Sequence, residues 1–278
     1  MMTRPLFLAF VLVSAVPGIT AADAGAADLA APPVAVFAAL DDRFEGPDQL
    51  QAGLTTLRLH NRGEEPHQLQ LLKLADDKSP ADLAASLREQ AQVPPWAKHM
   101  GGPNGVGAGE TAEATVYLEP GTYVVICAIP TKDQRPHAAL GMQKTVRVTH
   151  TAPSDAEFIG NVHMAMFDYE FVVVQKVDSG PHTFYVVNRG HQAHQVSLVQ
   201  LNPGASTDDM LAAFGSPQRS PLPGKLMGGM AGLEPGGRGT FSASLSPGRY
   251  AMMCLFPNPA AHDSHAAKGM VMNFTVDK

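Results

Sequence analysis

The chain has 278 residues, with 20 basic against 26 acidic side chains, 26 glycines and 23 prolines. That length predicts one large or two ordinary domains, each able to bury a core. The acidic balance and the absence of any Lys/Arg cluster exclude a nucleic-acid surface, because counterion release needs clustered cations. A low charged fraction with abundant Gly and Pro predicts many turns and few long helices, hence an all-β chain.

At the front, Arg4 precedes the apolar run LFLAFVLVSAV and then small residues in GITAADAGAA. This is the order of a secretory signal, expected over residues 1–22 with cleavage near Ala22 or Ala26. The run is about half the roughly 20 residues of a membrane span, and no other segment is long and apolar enough, so no span is expected after cleavage. Removal takes Arg4 and leaves 19 basic against 26 acidic side chains, a net charge of −7. The expected location is periplasmic or secreted.

The remainder reads as a tandem duplication: one unit over 31–150, a linker HTAPSDAE, and a second unit over 156–278. Two copies are too few for a solenoid. Asp42 with Phe44 matches Asp168 with Phe171 approximately, and Gly53 to Asn61 has the length of Gly180 to Asn188. Strands at 54–60 and 183–187 lead into Asn-Arg-Gly turns at 61–63 and 188–190, where Asn and Gly tolerate turn dihedrals. In the strands that follow, period two puts His67, Leu69 and Leu71 on one face, as it does His194, Val196 and Leu198.

A short helix comes next in each copy. Ser79 is a good N-cap before Pro80 and Asp82, and Ser206 stands likewise before Asp208 and Asp209. Met-Gly-Gly loops are expected at 100–102 and 227–229, then strands over 112–118 and 239–245. After Pro-Gly turns, Tyr123, Val125 and Cys127 share one strand face, as do Tyr250, Met252 and Cys254. Last strands are expected at 145–149 and 271–276. The pattern predicts two Greek-key β-sandwiches of antiparallel strands, each with a short helix inserted before the last strands and a loop ahead of the final one.

Both copies state one order of metal-ligand side chains: His67, Cys127, His137 and Met142, then His194, Cys254, His265 and Met270. His to Cys spans 60 positions in each copy, and His to Met spans five. Two imidazoles, a thiolate and a thioether suit copper in both oxidation states. Zinc rarely takes Met, and hard cations want oxygen. His262 rivals His265, but only His265 keeps the register to Met270. His60, His99, His163, His182 and His191 lack a partner in the other copy and suit surface or supporting roles. Met100 and Met227, repeat equivalents beside Gly-Gly, could contribute a thioether or line a site, but suit loop packing better. An oxidising compartment makes a disulfide the default for two cysteines, but Cys127 and Cys254 are repeat equivalents, so a bridge would have to join matching sites across the domain pair.

The motifs NRGEEPH, YVVIC and PHAALGM, with NRGHQAH, YAMMC and HAAKGM, resemble the cupredoxin family of blue copper proteins. The resemblance covers both units. It implies a copper ion per domain, held by the eight residues above, and outer-sphere electron transfer with a redox partner protein or a copper donor or acceptor. The sequence departs from the family in one respect: nine residues separate Cys127 from His137 and ten separate Cys254 from His265. Enzymes with duplicated domains of this kind need extra histidines, commonly His-x-His, and HQAH at 191–194 is the nearest approach, so the expectation is a non-enzyme. Rival readings are a copper(I) resistance or delivery protein, to which MGGM at 227–230 lends slight support, and a metal-free scaffold for protein interaction.

Overall fold

The computed structural model describes residues 31–150, 157–216, 221–258 and 263–277. The signal segment, most of the linker and His262 lie outside the described residues. No helix among the described residues is long and apolar enough to cross a membrane.

The first unit contains β1 (Val34–Ala39), β2 (Phe44–Glu45), β3 (Gln49–Gln51), β4 (Gly53–Asn61), β5 (Gln70–Leu74), α1 (Pro80–Gln90), β6 (Ala97–His99), β7 (Thr111–Leu118), β8 (Gly121–Ile126) and β9 (Gln143–Thr149). The second contains β10 (Val162–Phe167), β11 (Glu170–Val173), β12 (Gly180–Asn188), β13 (His194–Leu201), α2 (Thr207–Gly215), β14 (Gly224–Leu233), β15 (Arg238–Leu245), β16 (Gly248–Met253), β17 (Pro257–Asn258), β18 (Asp263–Ser264) and β19 (Val271–Val276). Each unit is a β-sandwich of the cupredoxin-like kind, with Greek-key crossings from β4 to β5 and from β12 to β13. One sheet of the first is ordered β3-β9-β8-β5-β6, and its counterpart in the second is β14-β13-β16-β19.

The expectation of purely antiparallel strands is corrected at the start of each unit, where β1 pairs with β4 and β10 with β12 in parallel. In the first unit the cause is the connection. Residues 44–51 leave the large sheet through β2 and add β3 to the edge of the other sheet beside β9 before the chain returns. β4 therefore starts from the same end as β1.

The main core lies between the sheets and holds Phe37, Leu57, Leu69, Leu71, Tyr123 and Val125 with their counterparts, together with Cys127, Met142, Cys254 and Met270. The period-two faces are correct, but the opposite faces are buried as well. Leu72, Leu74, Val124 and Ile126 point outward and pack beneath Leu83 and Leu87 of α1. Val199, Leu201, Ala251 and Met253 do the same beneath Met210 of α2. Each helix therefore roofs the sheet that carries a histidine and a cysteine. Both open with a reciprocal capping box, Ser79 with Asp82 and Ser206 with Asp209, which satisfies backbone N–H groups at the helix start.

The two sandwiches share one eight-stranded sheet, ordered β11-β10-β12-β15-β7-β4-β1-β2. Its central junction is self-complementary. His194 follows His67 by 127 positions, and under that offset Ala114 pairs with its own equivalent Phe241, while the flanking pairs exchange equivalents. The expected Met-Gly-Gly loops are a second such junction: 227–229 lie inside β14, and Met100, Pro103 and Val106 bridge Leu233, Met230 and Met227. Main-chain bonds from Gly101 to Gly232 and from Ala231 to Gly102, both 2.8 Å, close it. The segment also runs along the histidine-bearing strand, so closely that a Cβ on Gly102 or Gly229 would stand 2.2 Å from the Leu69 carbonyl or 2.0 Å from the Val196 carbonyl. This close approach, rather than a loop turn, accounts for glycine there.

Candidate metal centre

The structure gathers His67, Cys127 and His137 into one buried cluster and His194, Cys254 and His265 into another, with the donor atoms of each within 4.8 Å of one another. In the first, Cys127 Sγ lies 3.6 Å from His67 Nδ1 and 3.7 Å from His137 Nδ1. In the second, Cys254 Sγ lies 3.8 Å from His194 Nδ1 and 3.6 Å from His265 Nδ1. Metal–nitrogen and metal–sulfur bonds of about 2.0 and 2.3 Å, as zinc makes, set 120° apart give a sulfur–nitrogen edge of about 3.7 Å. The Sγ–Nδ1 edges of both clusters are thus those of donors sharing one ion, while in the second cluster His194 Nδ1 and His265 Nδ1 stand in direct hydrogen-bond contact at 2.9 Å, an edge that an ion would have to open. Neither cysteine is in a disulfide, because each faces its own pair of histidines. Met142 and Met270 are buried in the same core as the cysteines.

The long Cys-to-His segments are extruded hairpins. Pro130 bridges Pro136, Thr131 N–H donates to Arg135 O at 2.8 Å, and His137 N–H donates to Ile129 O at 3.1 Å. In the second domain β17 pairs with β18, and His265 N–H donates to Phe256 O at 3.0 Å. In the first domain the extra residues therefore leave and return over a pinned base, and in the second β17 with β18 forms the same kind of base. Ala138 N–H to Cys127 O and Ala266 N–H to Cys254 O, both 2.8 Å, fix the histidine-bearing 3-10 turns against the cysteines. Met142 and Met270 then follow through His137 and His265 carbonyls, each bond 3.0 Å.

The first histidine of each cluster is held by a carboxylate whose role was not read from the sequence. His67 Nε2 donates to Asp41 Oδ1 and His194 Nε2 to Asp168 Oδ1, each at 3.0 Å. A carboxylate only accepts, so Nε2 carries the proton and Nδ1 turns its lone pair into the cluster, toward Cys127 in the first domain and, in the second, toward His265 Nδ1, which donates to it at 2.9 Å. The approximate match of Asp42 to Asp168 is corrected here: the equivalent of Asp168 is Asp41. A gapless offset reveals it, because Asp41 precedes His67 by as many positions as Asp168 precedes His194.

The Asn-Arg-Gly motifs do more than turn. Asn61 Nδ2 donates to Glu65 O and Val106 O while its Oδ1 accepts from Gly63 N–H, and Asn188 does the same with Gln192 O, Leu233 O and Gly190 N–H. Gly63 and Gly190 are small for a specific reason. A Cβ there would meet Asp41 Oδ1 at 2.3 Å and Asp168 Oδ1 at 2.5 Å, wedging apart the carboxylate–histidine contact.

Burial is the largest influence on the ionisation of these groups. It pushes His67 and His194 below the ordinary histidine value, against the opposing hydrogen bonds from Asp41 and Asp168. It pushes His265 down to about 4, helped by His194, and the Cys254 thiol up to about 12. For Asp168 burial acts upward. The hydrogen bonds from His194 and His191, with backbone N–H groups of His191 and Gln192, overcome it and hold the carboxyl at about 2. The neutral histidines suit a metal. The thiol must give up its proton to bind one, which couples metal uptake to proton release.

Other expected residues lie elsewhere. His191 is almost wholly exposed and grips Asp168 Oδ2 at 3.0 Å, so HQAH supplies a support, not a paired ligand. His99 clasps Glu234 of the second domain at 3.2 Å and meets the Phe256 ring edge-on at 4.9 Å. Met100 and Met227 belong to the domain junction.

No protein-family model and no curated protein matches the chain. Solved structures similar to it include auracyanin B, 25% identical over 43% of this chain and 91% of that one, at a TM-score of 0.32. Auracyanin A, a blue copper protein from Chloroflexus aurantiacus, is 22% identical over 43% of this chain and 100% of its own, at 0.32. A copper-containing nitrite reductase from Thermus scotoductus is 14% identical over 88% of this chain and 61% of that one, at 0.25. At these TM-scores the description of the fold rests on the strand order and the repeat, and that of the site on its donors. On those grounds the chain is a tandem cupredoxin-like protein with one buried His-Cys-His cluster in each domain.

Proposed function

We propose that the protein binds two copper ions, one per domain, and carries electrons outside the cytoplasm, exchanging them with a redox partner protein. His67, Cys127, His137 and Met142 would hold one ion, and His194, Cys254, His265 and Met270 the other. The observation that carries this reading is the convergence, twice, of two imidazole Nδ1 atoms and one Sγ at 3.6–3.8 Å in a buried pocket. Copper supplies a one-electron couple when bound.

The residues of the chain supply the rest. Asp41 and Asp168 orient the first histidines, the 3-10 turns orient the second, and burial excludes water. A closed donor set favours a carrier over a catalyst, although a copper nitrite reductase is among the similar structures. The MGGM segment is spent on the domain junction, which weakens the delivery reading.

Adding two equivalents of Cu(II) to the reduced protein should produce an intense thiolate-to-copper absorption band. Cys127→Ser and Cys254→Ser should each remove one of two copper ions and the corresponding part of the band. Colourless Cu(I) binding alone would favour delivery, and no binding by either metal form would favour a metal-free scaffold.

A further inference from the structure

The two clusters have the same inner wall and different surroundings at the second histidine. In the first domain, His137 Nε2 donates to Glu65 Oε2 at 3.1 Å. The repeat puts Gln192 at the place of Glu65, and its amide turns away to donate to the Tyr169 hydroxyl at 3.2 Å. Tyr169 meets the His265 ring edge-on at 5.3 Å, and Phe256 covers the same ring at 6.0 Å. The first domain has Asp42 and Ile129 at those two positions. Asp263 also bears on His265, but its carboxylate is met by Lys268 at 3.0 Å.

On the reading that copper occupies both clusters, we infer that the two sites differ in reduction potential, with the first domain's copper harder to reduce and the second domain's easier. Oxidised copper carries one more positive charge than reduced copper. A carboxylate hydrogen-bonded to a ligand imidazole makes that ligand more basic and favours the more charged state. Glu65 does this for His137, whereas the neutral Gln192 does not touch His265. Packing two aromatic rings against His265 lowers the local dielectric and favours the less charged state. Asp41 and Asp168 act alike at the two first histidines and largely cancel in the comparison.

At one electron per molecule from a one-electron donor, the second domain's copper would be the one mainly reduced, Cu(II) becoming Cu(I) there about ten times as often as in the first. No bond breaks and no proton moves. The half-reduced protein would hold its electron mainly on the second domain's side of the junction. Glu65 is a positioning and tuning residue, acting through His137. Its partial exposure limits the effect by screening, so the expected bias is about tenfold, or about 59 mV for one electron.

The test is a redox titration of the full chain loaded with copper, using a soluble one-electron reductant and following the thiolate-to-copper band. Two steps about tenfold apart are expected in the unaltered protein. Cys254→Ser should retain only the lower potential and Cys127→Ser only the higher. Glu65→Gln should raise the first domain's potential and close most of the gap, and Glu65→Asp should restore part of it. A single shared potential, a reversed order, or a Glu65→Gln potential identical to the parent overturns the inference while copper binding stands. Failure of either site to bind copper at all overturns the underlying reading, and the inference with it.

Discussion

Across the repeat, the residues that hold the first histidine are duplicated, His191 on Asp168 apart, and those that surround the second are not. Asn61, Gly63, Asp41 and His67 repeat as Asn188, Gly190, Asp168 and His194, with the same bonds at nearly the same lengths. Around the second histidine, Glu65, Asp42 and Ile129 become Gln192, Tyr169 and Phe256. The domain junction divides similarly. Its main-chain pairing is symmetric, but the His99–Glu234 clasp is answered by Leu226 and Gly107. The backbone frame and inner wall therefore make a site, and the outer wall makes the two sites different.

The sharpest way to break the claim of a duplicated frame is to load its tightest point. Gly102→Ala and Gly229→Ala each put a Cβ against a carbonyl of the histidine-bearing strand, at positions with φ of 126° and 119°. Backbone strain and overpacking together should cost about 3 kcal/mol in each case, measured by urea unfolding. Equal losses support mechanical equivalence of the two halves. A loss below about 1 kcal/mol in one half alone would show that its strand yields where the other does not.

The inner wall is tested by removing its carboxylates. Asp168→Ala leaves His194 Nε2 without its acceptor and should weaken copper binding at that site about 10–100-fold, read by competition with a chelator. The copper-free protein should also lose about 2 kcal/mol at neutral pH, since the carboxyl is held at about 2 against an ordinary value of about 3.9. The sign follows from the depression. The stabilisation is present above the unfolded value and lost as pH falls through the folded one, so about half remains at pH 3. The parent and Asp168→Ala should therefore converge in stability on acidification. Asp41, more exposed and without a counterpart of His191, should show the same direction with a smaller difference.

Much of this was legible in the sequence, because spacing repeated at a fixed offset carries information that single residues do not. The two sandwiches, the helix caps and the residues brought together in each cluster follow from it. What was not legible depended on partners distant in sequence. Asp41 sits 26 positions before His67 in an unremarkable acidic stretch, and nothing local marks it as a histidine's acceptor. The parallel pairing of β1 with β4 depends on a detour through residues 44–51. The long Cys-to-His segments looked like a departure in site geometry, but Pro130 with Pro136, and β17 with β18, pair the strands at their bases, which leaves each histidine in its place. Glycine at 102 and 229 fitted a loop by local rules, and only the approach of a second strand gives the real constraint.

The smallest expected effect separates the frame from the site. Ser79→Ala and Ser206→Ala each remove the side-chain half of a capping box, in which Ser Oγ accepts from Asp82 N–H at 3.2 Å or from Asp209 N–H at 3.1 Å. Each should cost about 1 kcal/mol, seen as a fall of about 2–4 °C in melting temperature for a protein of this size. The two need not be equal. α1 has Pro80 fixing its first turn and buries Leu83 and Leu87, whereas α2 lacks the proline and buries Thr207 and Met210. Ser206→Ala should therefore be the costlier of the pair. The helices roof the outer face of the sheet while the ligands line the inner face, so the copper band should be unmoved by either change. A shifted band in Ser206→Ala would mean that the roof presses on the site through Ala266, which packs in the same cluster as Met210 and follows His265 directly.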